Sequence, residues 1–117
     1  MAYDDEDAAL PYATIGTDEA KRMIEAGVRV IDVRQPEEWH RGHIRQAELV
    51  PLNGIYSFGK ALKELDISPD EDVIFVCAMG QRSASASEIA LVAGLNKVYN
   101  LANGMNGWMN RRYPIER

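Results

Sequence analysis

Only one cysteine, Cys77, stands in the 117 residues, so the chain has no internal disulfide and no disulfide-stapled scaffold. It also has no second thiol to resolve a mixed disulfide, which argues against a dithiol oxidoreductase. Histidine is almost as scarce. His40 and His43 are the two present, and no other ligand type clusters with them, so no metal site is expected. No apolar run approaches the length needed to cross a membrane. Met1 is followed by acids rather than by a basic stretch and an apolar segment, so no secretory leader is expected. Positive charge is in deficit: 13 Lys and Arg against 18 Asp and Glu give a formal net charge of -5, which argues against a general nucleic-acid role. These absences point to a protein of a reducing compartment, by default the cytoplasm, with neither nucleic acid nor membrane as partner.

What is present is enough for one compact domain. The hydrophobic fraction of 46% is ordinary for a folded soluble chain. Part of the acidity is local, in Asp4-Asp5-Glu6-Asp7, and residues 1–11 are expected to be a solvated tail preceding a domain over residues 12–117. Within that domain, short β-like runs alternate with helical segments, the pattern of a parallel sheet covered on both faces. Strands are expected over Tyr12–Ile15, Val28–Val33, Glu48–Val50, Val73–Val76 and Lys97–Leu101. Helices are expected from Thr17 or Asp18 (either as the cap) to Ala26, over Glu37–Arg41 with Pro36 in the first turn, over Ile55–Leu65, over Gln81–Ala93, and around Trp108. Val73-Ile74-Phe75-Val76 is continuously apolar, so that strand is expected at the centre of the sheet.

Cys77 follows directly on this strand. The loop Ala78-Met79-Gly80-Gln81-Arg82 comes next, and then Ser83 and a run of small residues that reads as a helix. Ligand sites in open parallel sheets lie beyond the carboxyl ends of strands. A loop entering a helix N-terminus presents backbone N–H groups and the positive end of the helix dipole to an anion. A thiol at such a place is stabilised as thiolate, and the thiolate is the nucleophile. Gly80 suits a sharp turn. Arg82 is placed to clamp an anionic substrate or hold the thiolate, and Ser83 or Ser85 to cap the helix or donate to the site. Asp32 interrupts an apolar strand and is expected to hold the adjoining loop or pair with Arg34. His43, Trp39 and Trp108 are expected to be structural. Met79, Tyr56 and Phe58 are expected at the mouth of the site.

The segment Cys77-Ala78-Met79-Gly80-Gln81-Arg82-Ser83 resembles the C-x-x-G-x-R-S active-site loop of the rhodanese family of sulfurtransferases. Asp32-Val33-Arg34, Glu38-Trp39 and Gly42-His43-Ile44 match an N-terminal signature of that family, and Val98, Leu101, Gly104 and Trp108 a C-terminal one. Three signatures in order cover nearly the whole chain from Tyr12. Arg45-Gln46 departs from a common Pro-Gly and Asn103 from a common glycine. The uncharged Ala78 and Met79 replace basic side chains found in some members.

The resemblance implies a three-layer α/β/α fold, with a mostly parallel five-stranded sheet in the order 1-5-4-2-3. It implies a thiosulfate:cyanide-type sulfurtransferase. Cys77 would be the catalytic residue that carries a persulfide, and residues 78–82 would bind the anion: Ala78, Met79, Gly80, Gln81 and Arg82. Asp32, Arg34 and Ser83 would be supporting residues. The implied partners are a small anionic sulfur donor and a thiol or protein acceptor; neither metal nor organic cofactor is implied.

Two alternatives stand beside this reading. Cysteine phosphatases and arsenate reductases resemble a C-x-x-x-x-x-R loop, one residue longer than the loop here, with its four residues between Cys77 and Arg82. A rhodanese-like relay or binding module shares the fold, but non-catalytic modules typically lose the cysteine.

Overall fold

The computed structural model describes residues 11–117, so the expected acidic tail lies outside the described residues except for Pro11. Among the described residues, five strands form one sheet: β1 (Ala13–Ile15), β2 (Arg29–Asp32), β3 (Glu48–Leu49), β4 (Asp72–Val76) and β5 (Lys97–Leu101). Their order is β1-β5-β4-β2-β3, and all four pairings are parallel. Both order and direction agree with expectation. The helices are α1 (Thr17–Glu25), α2 (Pro36–His40), α3 (Ile55–Glu64), α4 (Gln81–Val92) and α5 (Gly104–Asn110). Among the described residues, no helix is long and apolar enough to cross a membrane.

The strand sequences explain the layers. In β4, alternate side chains point to opposite faces. Val73, Phe75 and Cys77 join Ile31, Val33 and Val98 in one core beneath α3 and α4, where Phe58, Leu62, Ala86 and Ala90 complete it. Ile74 and Val76 join Val30 and Leu101 in a second core with Ala20 and Ile24 of α1 and Met105 and Trp108 of α5. A strand segment buried on both faces must be apolar throughout, and Val73–Val76 of β4 meet that condition between β2 and β5.

Local details depart from the sequence reading by a residue or so at most ends, where helices fray. Neither Thr17 nor Asp18 caps α1; Gly16 holds the N-cap position, with no side-chain bond. The reason is that Asp18 is committed elsewhere: Arg111 donates to it at 2.7 Å and the Tyr113 hydroxyl also donates to it. α2 begins at Pro36, and Gln35 and Glu38 close it with a reciprocal capping box. Phe58 is not at any mouth. It is fully buried edge-on to Phe75 at 6.1 Å, because Phe58 and Leu62 lie four apart on the inner face of α3. Tyr56, two positions away, is 93% exposed.

The loop after β4 is held between β5 and α5. The Met105 amide donates to the Cys77 carbonyl at 2.8 Å and the Asn106 amide to the Ala78 carbonyl at 3.0 Å. This close approach requires Gly104, at φ +52°, where a Cβ would lie 2.3 Å from the Cys77 oxygen. Gly104→Ala is therefore expected to cost about 2 kcal/mol or more. Gly94→Ala, at φ +106° but with open space around its Cβ, meets only the backbone penalty, about 1 kcal/mol. Urea unfolding of the two variants checks this; equal costs would mean that the contact beneath Cys77 carries no strain.

Candidate active site

Chain order and strand order diverge between β4 and β2. The connection from β2 leads outward to β3 and that from β4 leads the other way to β5, so the crevice beyond their carboxyl ends is a switch point where α/β sheets place ligands. Cys77 leaves β4 at one side of this crevice, and Asp32 ends β2 at the other.

Cys77 is 1% exposed, and its sulfur is met by donors. The Gly80 amide donates to Sγ at 3.1 Å, and Ser83 Oγ lies 3.3 Å from Sγ. Gly80 can turn back in this way because it is left-handed, at φ +108°, and a Cβ there would strike the Ala102 carbonyl at 2.4 Å. It is also the N-cap of α4. Ala84 is the first residue of α4 whose amide closes a helical bond, onto the Gly80 carbonyl at 3.1 Å, so the amides before it are free for the sulfur and its ligands. Burial pushes the Cys77 thiol up. The Ser83 hydroxyl and the Ser83, Gly80 and Met79 amides outweigh that, and the thiol lies below its ordinary value.

Ser83 is itself fully buried. Its hydroxyl donates to Asn100 Oδ1 at 2.5 Å, and the Asn100 Nδ2 group donates to the Gly80 carbonyl at 3.3 Å. The sequence reading missed Asn100. The available signal was a polar side chain inside the apolar run of β5, on the same face as Val98. Ser85, the other serine considered for the site, is exposed on α4.

Arg82 takes a partner that its position in the loop did not disclose. Both terminal guanidinium nitrogens donate to the Glu38 carboxylate, 2.8 Å each. The Gln35 amide also donates to Glu38, at 3.0 Å. The Arg82 bond above all, with the Gln35 amide and the nearby Arg34 charge, lowers Glu38 to about 2. Glu38 in turn holds Arg82 firmly charged, and the Cys77 charge adds to that effect. Behind this pair, Arg34 grips Asp32 through Nε at 3.0 Å and Nη2 at 2.9 Å, and donates to the Gly42 carbonyl at 2.8 Å. Asp32 and Arg34 thus pair as expected, tying the end of β2 to the end of α2, and both are buried.

Of the remaining expected site residues, Ala78 is half-buried and its carbonyl is committed to Asn106, Gln81 is exposed, and Met79 is 59% exposed at the loop tip. His43 is structural: it stacks on Trp39 at 3.5 Å, its Nδ1 lies 2.9 Å from the Trp39 carbonyl, and its backbone pairs with Glu116. Trp108 is buried, and its indole donates to the Pro114 carbonyl at 2.8 Å. Among the described residues, no group of three His, Cys, Asp or Glu side chains comes together as a metal site.

Because Glu38 is lowered in the folded chain, its pairing stabilises the fold fully above its usual value of 4.5 and is lost as pH falls toward 2. The stability difference between wild type and Glu38→Gln is expected to be about 1 kcal/mol near neutral pH, modest because the pair is partly solvated. It should shrink between about pH 4.5 and pH 2. Urea unfolding across that range checks it, and a difference independent of pH would overturn it.

Comparison with known proteins agrees with this geometry. Residues 16–111 match the family described as the rhodanese-like domain. The chain is 27% identical to "Thiosulfate sulfurtransferase 18" of Arabidopsis thaliana, over 87% of this chain and 82% of that protein. It is 33% identical to "Probable adenylyltransferase/sulfurtransferase MoeZ" of Mycobacterium tuberculosis, over 95% of this chain but 28% of that longer protein. The crystal structure of a rhodanese-related protein from Thermoplasma volcanium superposes with a TM-score of 0.75 at 30% identity, covering 90% of this chain and 98% of that one. The match spans both sides of the crevice and the whole loop between them, and the chain belongs to the rhodanese-like family of sulfurtransferases.

Proposed function

We propose that the chain is a thiosulfate-type sulfurtransferase in which Cys77 carries the transferred sulfur as a persulfide. The observation that carries the reading is the buried Sγ receiving the Gly80 amide at the N-terminus of α4. In the first step the Cys77 thiolate attacks the outer sulfur of a donor such as thiosulfate. The donor S–S bond breaks, sulfite leaves with the bonding pair, and the enzyme holds Cys77–S–S⁻. In the second step cyanide, a small thiol or a protein thiol attacks that outer sulfur and the Cys77 thiolate departs. Covalent catalysis divides the transfer into two displacements, and fixed backbone donors stabilise the anion in each. In this reading the amides of residues 78–82 surround the outer sulfur, and Arg82, oriented by Glu38, contributes positive potential and a remaining N–H at the loop. Asp32, Arg34 and Ser83 hold the loop in place.

Two observations favour sulfur over a tetrahedral oxyanion. The loop has four residues between Cys77 and Arg82, and Cys77 at its base is only 1% exposed, which suits the approach of a single terminal atom. The relative named as a thiosulfate sulfurtransferase makes thiosulfate the first donor to test. Residues 12–117 form the working unit in this reading, in a reducing compartment such as the cytoplasm where Cys77 stays a thiol.

Incubation with thiosulfate is expected to add one sulfur atom to the wild-type chain, read by intact mass and removed by cyanide, and to add none to Cys77→Ser. No gain with thiosulfate or a small persulfide, combined with turnover of an aryl phosphate, would overturn the reading. Arg82→Ala is expected to slow thiosulfate turnover by roughly tenfold or more, chiefly in kcat/KM. An unchanged rate would confine Arg82 to its pair with Glu38.

A further inference from the structure

Ser83 Oγ has three polar neighbours and one hydrogen. It lies 2.5 Å from Asn100 Oδ1, 3.3 Å from the Gly80 carbonyl oxygen and 3.3 Å from Cys77 Sγ. The first two are acceptors only. The short contact to Asn100 Oδ1 takes the hydrogen, because two acceptors that close without a proton between them would repel. The Asn100 amide is oriented independently, since its Nδ2 group donates to the Gly80 carbonyl at 3.3 Å. Ser83 then has only lone pairs to offer the sulfur, and the donation by which its hydroxyl lowers the thiol becomes available only once that hydrogen swings from Asn100 to Sγ. A lone pair suits a thiol, whose S–H can donate to it, and opposes a thiolate.

We propose that Asn100 is a positioning residue for Cys77: by taking the single Ser83 hydrogen it favours the protonated sulfur, and its side-chain amide turns over when the sulfur ionises. On ionisation the S–H bond breaks and the proton leaves to a solvent base. The Ser83 hydrogen swings to Sγ, and Asn100 must then present Nδ2–H to Ser83 Oγ in place of Oδ1. That turn sets Oδ1 against the Gly80 carbonyl, so the thiolate is reached against a local resistance that substrate binding at the loop can relieve. All three side chains are buried, so water does not substitute for the missing donor.

The charged groups around the sulfur are placed otherwise. Arg82 on α4 faces it and is paired with Glu38 of α2, with Asp32 at the end of β2 and Arg34 just after it behind. The titratable side chains of β5 lie elsewhere: Lys97 is exposed at the far end of the strand, and Tyr99 is on the opposite face with its hydroxyl on Asp72. Lys60 and Lys63 of α3 are exposed, and α5 carries no titratable side chain. The Ser83–Asn100 pair is therefore the uncharged element that sets which proton state the loop favours.

The inference rests on Cys77 as the working nucleophile, but its test needs no sulfur donor, so it fails or stands separately from sulfur transfer. Alkylation by iodoacetamide against pH, followed by intact mass, reads the thiolate fraction. Asn100→Ala frees the Ser83 hydrogen and is expected to lower the thiol midpoint, raising the rate at neutral pH by about threefold. Asn100→Asp, an acceptor only, is expected to raise the midpoint and slow the rate by roughly tenfold. In a Ser83→Ala background, Asn100→Ala is expected to have no effect. Slowing by both Asn100 variants, or an undiminished effect without Ser83, would make Asn100 a packing residue. A second reading uses the wild-type fold: the Asn100 side-chain amide resonances should move with the Cys77 titration by NMR, and should not move in Cys77→Ala. Resonances indifferent to that titration in wild type would overturn the coupling.

Discussion

A sulfur atom buried at the end of a strand needs donors, and the bond from the Gly80 amide to Cys77 Sγ is the contact on which the rest of the site depends. It forces the chain to double back within three residues, which puts Gly80 in the left-handed region with no room for a Cβ beside the Ala102 carbonyl. That places the N-terminus of α4 over the sulfur and brings Ser83 to it. The reversal also leaves loop carbonyls to satisfy. Those of Cys77 and Ala78 are taken by the first amides of α5 and that of Gly80 by Ala84 and Asn100. The residues that shape the site are therefore drawn from β4, β5, α4 and α5, and the backbone groups involved are paired as burial demands.

The charges follow a second logic. Asp32–Arg34 and Glu38–Arg82 form two ion pairs, the first at the end of β2 and the second between α2 and the start of α4. Neither a buried ion pair, such as the first, nor a partly solvated one, such as the second, adds much to stability compared with apolar packing. Their evident effect here is positional: the first ties the end of β2 to the Gly42 carbonyl, and the second holds an arginine in a set direction beside the loop. Glu38 serves twice, as a member of the α2 capping box and as the Arg82 partner, so the start of a short helix and the orientation of a site residue are coupled through one carboxylate.

Much of this was legible in the residues. The continuously apolar, largely β-branched Val73–Val76 reads as a strand covered on both faces, and it is the central one. A polar Asp32 at the end of an apolar run needs a partner, and Arg34 two positions on supplies it. The loop signature located the candidate cysteine and the family. What was not legible depended on contacts between distant segments. Arg82 pairs with Glu38, 44 positions away. Asn100 reaches Ser83 across a strand boundary. Phe58 reads equally well as rim or core until the helical face it shares with Leu62 is set against the sheet. Thr17 and Asp18 have the chemistry of caps, but capping is decided by competition, and Arg111 and Tyr113 claim Asp18.

The alternation of strands and helices, the central strand, and the thiol, glycine, arginine and serine spaced along one loop are written in the order of the residues, because hydrophobic period and local backbone freedom are properties of neighbouring residues. Tertiary structure alone decided how the loop is wired: which carboxylate holds Arg82, which amide takes the Ser83 hydrogen, and which helix satisfies the carbonyls beneath Cys77. Those choices depend on where buried polar groups from remote segments meet once water is excluded, and each must find its partner among whatever the fold brings within reach.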